Sequence, residues 1–176
     1  MDIREILGQI LGIIGMILGF VIYQVKDSKK ILLVQIITSA IFCVHYILIG
    51  ALSGFVLNTV GTIRSVVYYH RDKKIFSGRY VPVVFAVVMA VTGAIFWEAW
   101  YSIFVVSGLV IYNLALTFKN PQNLRRSVMI SAPMILTYNI FSKSIGGIAY
   151  ESISIISGII GLIRYRNSKN DKIERG

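Results

Sequence analysis

Residues 54–65, GFVLNTVGTIRS, and 147–158, GIAYESISIISG, decide the fold. In the first stretch Gly54, Asn58, Gly61 and Ser65 are spaced 4, 3, 4. In the second, Gly147, Glu151, Ser154 and Gly158 repeat that spacing 93 residues later. Such steps put four residues on one helical face, and small residues let membrane helices approach closely. Each stretch therefore predicts a helix with a tight seam and one polar side chain embedded in it. The same offset of 93 pairs Gly15 with Gly108, Lys26 with Lys119, Ile47 with Ile140 and Arg71 with Arg164. Together these matches indicate an internal repeat.

The surrounding sequence is apolar. Of 176 residues 56% are hydrophobic and 15% charged, with a mean hydropathy of +0.72. Soluble domains carry about 25% charged residues, so the composition excludes a disordered chain and argues against a soluble globule. Seven apolar runs stand out, at about 7–25, 31–49, 54–70, 80–97, 101–118, 125–142 and 147–163. A hydrocarbon core of about 30 Å takes about 20 apolar residues per helix, so seven helices use about 140 residues and leave no room for a soluble domain. The expected fold is an all-α membrane protein of seven transmembrane helices. Two parallel three-helix repeats, 1–74 and 101–166, are joined by an inverting helix in 75–100, and 167–176 forms a flexible cytoplasmic tail. Two contiguous three-helix units can be parallel only if an extra span separates them, and the fourth run supplies it. The first run lacks a basic leader, since Asp2, Arg4 and Glu5 mix signs, and no small-x-small site follows, so it is expected to be retained.

Lys and Arg number 18 against 8 acids, a net charge of +10. In a soluble protein that would suggest nucleic acid. Here the bases sit between the apolar runs and alternate. Lys26, Lys29 and Lys30, then Arg71, Lys73, Lys74 and Arg79, then Lys119, Arg125 and Arg126, and finally Arg164, Arg166, Lys169, Lys172 and Arg175 fall on one side. Only Arg4 and Lys143 fall on the other. Loops rich in Lys and Arg stay cytoplasmic, which places the N-terminus outside and the C-terminus inside. Membrane lipid and a small polar solute are the expected partners, nucleic acid is not, and a homo-oligomer is left open. Trp97, Trp100 and Tyr80 suit the headgroup level. The lone Cys43 lies in an apolar run as a small filler, and no Cys/His spacing marks a metal site. No H-E-x-x-H, G-x-S-x-G, P-loop or intramembrane aspartate pair is present, so neither an enzyme nor a cofactor is expected.

Several polar residues fall inside the runs. Glu151 lies in the seam of the seventh, where an ionisable group is costly and marks a functional site by default. It suits a cationic or hydroxyl-rich solute, or a proton; pairing with Lys143 is the structural alternative. Asn58 is its repeat partner, with donors and an acceptor to offer, or an interhelical bond to make. His45 and Tyr138 are offset partners, as are Tyr46 and Asn139. His45 either satisfies a neighbouring helix or titrates near a solute. Arg64 either snorkels toward the inner side or contacts an anion at an inner gate. Pro133 removes one hydrogen bond of the sixth helix. Gly8, Gly12, Gly15 and Gly19 give the first run its own 4, 3, 4 seam, which serves packing or lines a path.

A 3+1+3 order with Pro121–Gln122 at the end of the fifth run resembles the SWEET and PQ-loop transporter superfamily. A closer likeness is to the YgjV-type bacterial inner-membrane proteins. It rests on His45-Tyr46-Ile47-Leu48-Ile49-Gly50-Ala51, then Ser53-Gly54, Asn58 and Arg64. The resemblance implies a bacterial inner membrane and a SWEET-like fold. It also implies an asparagine facing a central pocket from the third helix of each repeat. Asn58 matches that position; Glu151 departs from it, away from a neutral-sugar pocket. Parallel repeats about an axis along the membrane normal are a transporter architecture. The expected function is a transporter or facilitator for a small polar solute, working by alternating access between the two bundles. The expected substrate-binding residues are Asn58, Glu151, His45, Tyr138 and Arg64. The alternative is a non-transporting sensor, receptor or assembly partner acting through the basic cytoplasmic face.

Overall fold

The computed structural model describes residues 2–22, 28–70, 78, 80–115 and 121–174. Among them seven helices occur and no strand. They are α1 (Ile3–Ile22), α2 (Ser28–Leu48), α3 (Leu52–Tyr69), α4 (Val81–Ile95), α5 (Ser102–Ala115), α6 (Pro121–Phe141) and α7 (Ile145–Glu174). Of the described helices only α1, over Ile3–Phe20, is long and apolar enough on its own to cross a bilayer; Leu32–Leu48, Val81–Ile95, Ser102–Ala115 and Ile145–Ile160 are apolar but shorter.

The offset of 93 recurs in the backbone. α2 and α6 start at Ser28 and Pro121 and end at Leu48 and Phe141, while α3 and α7 start at Leu52 and Ile145. The turns between them match bond for bond. Ile49, Gly50 and Ala51 donate to the carbonyls of His45, Ile47 and Tyr46; Ser142, Lys143 and Ser144 donate to those of Tyr138, Ile140 and Asn139. Both turns pass through the left-handed region, at Gly50 (φ 77°) and Lys143 (φ 55°). A left-handed residue is the common way to end a helix on its own carbonyls.

Three element boundaries differ from the sequence reading. Pro121–Gln122 opens α6 rather than closing the fifth run, as proline fits a helix's first turn, where its missing N–H costs nothing. α4 ends at Ile95, short of its run, and 96–101 leave the helix, with Glu98 bonded to the start of α3. Finally, α7 runs on through 167–174, residues expected to fray. Extending an existing helix needs no new nucleus, and Lys169, Lys172 and Glu174 are good helix formers. Lys26, Arg71, Lys73, Lys74, Arg79, Lys119 and Arg175 lie outside the described residues.

The helices form a closed ring. α1 packs on α2, α2 on α3, α3 beside α5, α5 on α6, α6 on α7, and α7 back on α1, with α4 against α3 and α5. One end of the ring carries the start of α1 and the three short connections 49–51, 96–101 and 142–144. We call it the short-turn end. The glycine seam of α1 is a packing surface. Gly12 and Gly146 bring the α1 and α7 backbones together, since a Cβ on Gly146 would lie 2.2 Å from the carbonyl carbon of Gly12. Gly15 sits on the Phe42 ring and Gly19 on Tyr150.

Large apolar side chains cover the outside of the bundle, while its interior holds polar side chains beside an apolar core. Ile6, Ile10, Ile13 and Ile17 on α1, Val83, Val84, Val87 and Val91 on α4, and Ile156, Ile159, Ile160 and Ile163 on α7 are exposed. His45, Arg64, Asn113, Asn139 and Glu151 are buried. Exposed apolar surface on this scale marks a lipid or protein contact. Trp97, Trp100 and Tyr80 are exposed rings at the two ends of α4.

Candidate functional site

A cavity of about 400 Å³ occupies the middle of the ring. Its walls follow helical faces. α2 contributes Gln35, Thr38, Ser39, Phe42 and Tyr46; α6 contributes Val128, Ser131, Ala132, Ile135 and Asn139. Each of these α2 residues is exactly one repeat away from the corresponding α6 residue. α3 and α7 face each other in the same way: Leu57 and Tyr150, Asn58 and Glu151, Gly61 and Ser154, Arg64 and Ser157. Met89 of α4 and Val105, Leu109 and Tyr112 of α5 complete the wall, and α1 contributes none of it. The cavity thus lies where the two repeats meet. Tyr46 and Asn139 mark that meeting line, since these repeat partners, 93 apart, bond to each other, Tyr46 Oη donating to Asn139 Oδ1 at 2.6 Å.

The cage is near-symmetric but its charges are not. Glu151 faces Asn58, and Arg64 faces Ser157. Glu151 is 9% exposed and makes no hydrogen bond or ion pair with any described residue. It lies within Coulombic reach of Tyr46. Around this part of the wall, Phe42 packs on Tyr46 and Tyr150, with ring centroids 5.9 and 5.7 Å apart. Arg64 is 4% exposed, and its Nε and Nη1 have no hydrogen-bond partner among the described residues. Its guanidinium lies over the Tyr112 ring, 5.6 Å from the centroid. The two charges are not paired with each other. Counted from the helix starts at Leu52 and Ile145, Arg64 is about 18 Å deep and Glu151 about 9 Å, at 1.5 Å per residue. Asn58 shares the depth of Glu151 and donates Nδ2 to its own Gly54 carbonyl at 2.9 Å, which leaves its carbonyl oxygen for the cavity. Gly61, read from sequence as part of a tight seam, instead faces open space, since a Cβ there meets nothing within 4 Å.

Of the five residues expected to bind solute, the fold brings Asn58, Arg64 and Glu151 to one cavity and sets His45 and Tyr138 apart from its wall. Both belong to a sealed layer between the cavity and the short-turn end. His45 is 0% exposed. Its Nδ1 meets the Gly8 carbonyl at 2.7 Å and its Nε2 the Ser144 hydroxyl at 2.6 Å. A carbonyl can only accept, so Nδ1 carries the proton and, in the neutral ring, Nε2 takes the Ser144 proton. The Ser144 oxygen in turn accepts the Gly147 N–H at 3.1 Å. In the other repeat Tyr138 does this directly, its hydroxyl accepting the Gly54 N–H at 2.7 Å. Arg64 does not snorkel, and Lys143 does not pair with Glu151. Pro133 is exposed within a continuous α6, turned away from the cavity.

Glu98 is the residue that sequence reasoning missed. Its carboxylate accepts from the Leu52 N–H at 2.5 Å and the Ser53 N–H at 2.9 Å, the first turn of α3. Tyr138 Oη lies 3.4 Å from the same carboxylate. α3 has no side-chain cap of its own at Ala51, so the acid comes from the α4–α5 connection. α7 begins at its own Ser144, with Gln9 of α1 bonding both the Ile145 N–H and the Lys143 carbonyl. The sequence signal was an uncapped helix start and an unassigned acid at the same end of the bundle.

Residues 6–169 match the family Imp-YgjV, described as bacterial inner membrane protein. No curated protein and no solved structure matches the chain.

Proposed function

The chain belongs to the Imp-YgjV family of bacterial inner membrane proteins, and on that premise we propose that its cavity is the solute site of a small-solute transporter. In this reading the seven helices span the membrane as two parallel three-helix repeats with α4 as the inverter. The N-terminus and short-turn end face outward and the C-terminus is cytoplasmic. The observation that carries the reading is a pair of buried ionisable side chains, Arg64 and Glu151, that line one cavity and are not paired with each other or with another described charge. An uncompensated buried charge is strongly destabilising, and in a membrane bundle such groups mark substrate or ion paths. Sealing by the Tyr46–Asn139, Tyr138–Gly54 and His45–Ser144 bonds closes the cavity on the outer side. Transport then requires the two bundles to rock and part this layer. A bundle packed solid would favour a non-transporting factor; a cavity of about 400 Å³ does not.

A thermal-shift panel on the purified full-length chain tests the reading, with sugars, nucleosides, vitamin precursors, amines and amino acids. A ligand that binds the folded state raises Tm by mass action. The expected result is a stabilising solute class whose effect Glu151→Gln removes. A stabilising solute whose effect survives Glu151→Gln, Arg64→Gln and filling of the cavity by Gly61→Leu would place binding elsewhere and overturn it.

A further inference from the structure

The charge pattern of the cavity also restricts the solute class, on the premise that the cavity is a solute site. We propose that the solute is a small zwitterion, with an oxyanion bound at Arg64 and an ammonium bound at Glu151. The two poles are built separately. Arg64 is buried in the cavity wall, with Nε and Nη1 unpartnered among the described residues and its guanidinium carbon 5.6 Å from the centroid of the Tyr112 ring. A guanidinium with free donors suits an oxyanion. Glu151 lines the wall beside the Phe42, Tyr46 and Tyr150 rings. A carboxylate with aromatic faces is the chemistry that holds an ammonium. The poles differ in depth by about 9 Å along the helices, which is why they do not neutralise each other.

Charge balance decides between solute classes. A neutral sugar offers neither Arg64 nor Glu151 a counter-charge. A simple anion satisfies Arg64 and adds repulsion at Glu151, and a simple amine does the reverse. A zwitterion compensates both and adds no net charge to a low-dielectric cavity. The repeat comparison points the same way. Polar but uncharged Asn58 and Ser157 stand opposite the two charges, so the near-symmetric cage offers one polarised orientation, suited to a solute with two different ends.

The test is binding to the full-length chain in nanodiscs, using γ-aminobutyrate and phosphoethanolamine as zwitterions, butyrate as anion, butylamine as cation and glucose as neutral probe. The two zwitterions separate a carboxylate from a phosphate at the Arg64 pole. In the wild-type chain at least one zwitterion is expected to bind tenfold or more tightly than butyrate, butylamine and glucose. Arg64→Gln and Glu151→Gln each remove that tenfold advantage. Butyrate binding is lost only with Arg64→Gln and butylamine binding only with Glu151→Gln. The wild-type ranking needs no variant, and Arg64→Lys and Glu151→Asp, which keep the charges, are expected to retain it. Glucose or a single-charge probe binding as tightly as both zwitterions overturns the inference while leaving the solute-site reading intact. Failure of all five probes also overturns it, and the solute-site reading is then decided by the accessibility of Gly61 from the two sides of the membrane.

Discussion

Two glycine-to-alanine substitutions have opposite signs if the cavity is open space. A methyl on Gly61 meets no atom within 4 Å. A methyl on Gly12 lies 2.8 Å from His45 Cε1, 2.9 Å from His45 Nδ1 and 3.3 Å from Gly146 Cα. Both glycines are helical, and alanine gains about 0.8–1.0 kcal/mol over glycine in a helix interior. At Gly61 nothing offsets that gain, so Gly61→Ala stabilises by about 1 kcal/mol. At Gly12 the imidazole must move, with a backbone behind the methyl on its other side. Overpacking costs about 1–3 kcal/mol. Losing the His45 bonds to Gly8 and Ser144 strands buried polar groups at about 1–3 kcal/mol more. The net effect of Gly12→Ala is a loss of about 2–4 kcal/mol. For a chain of this size 1 kcal/mol moves Tm by about 2–4 °C. Thermal unfolding in a single detergent is then expected to show Gly61→Ala up by about 2–4 °C and Gly12→Ala down by about 4–16 °C. If Gly61→Ala falls as Gly12→Ala does, the space beside Gly61 is filled and the cavity argument fails.

Other substitutions test the frame and the charges. Gly50→Ala is expected to cost about 1 kcal/mol through its positive φ alone, although nothing crowds it, and Lys143→Gly to gain about as much at the equivalent turn; equal stabilities in a denaturation series would contradict the shared backbone. Glu98→Ala should cost about 1–2 kcal/mol by uncapping α3, with Glu98→Gln retaining part of it; an unchanged melting curve would show the cap to be dispensable. Arg64→Met is expected to stabilise the ligand-free chain by about 1–4 kcal/mol, because it replaces an unpartnered buried charge with an apolar side chain, and to abolish solute binding. A destabilised Arg64→Met would mean that the guanidinium is satisfied in the resting protein.

The sequence showed the repeat because helix seams have a period. Gly54, Asn58, Gly61 and Ser65 had to match Gly147, Glu151, Ser154 and Gly158 if two helices occupied equivalent places, and the backbone follows that offset through both turns. Asn58, Arg64 and Glu151 stood out because polar groups in apolar runs need a reason to be there, and all three line the cavity. Spacing alone could not say what lay opposite each seam. The α1 glycines meet Phe42, His45 and Tyr150, whereas Gly61 meets a void, although the two patterns read alike. His45 and Tyr138, also expected at the site, lie off the cavity wall and bond to Ser144 and Gly54, an arrangement that spacing could not foretell. Glu98 was missed because its partners are 46 and 45 residues away, so the uncapped helix start and the unassigned acid were not connected.

The central claim, that the cavity communicates with both sides of the membrane in turn, is tested most directly at Gly61. Gly61→Cys in a Cys43→Ser background places the one thiol on the cavity wall. A membrane-impermeant thiol reagent is then applied to intact spheroplasts and, separately, to inverted membrane vesicles. The account predicts labelling from both sides, with a bound solute slowing it on each. A thiol that reacts from one side only, whatever solute is present, would contradict it.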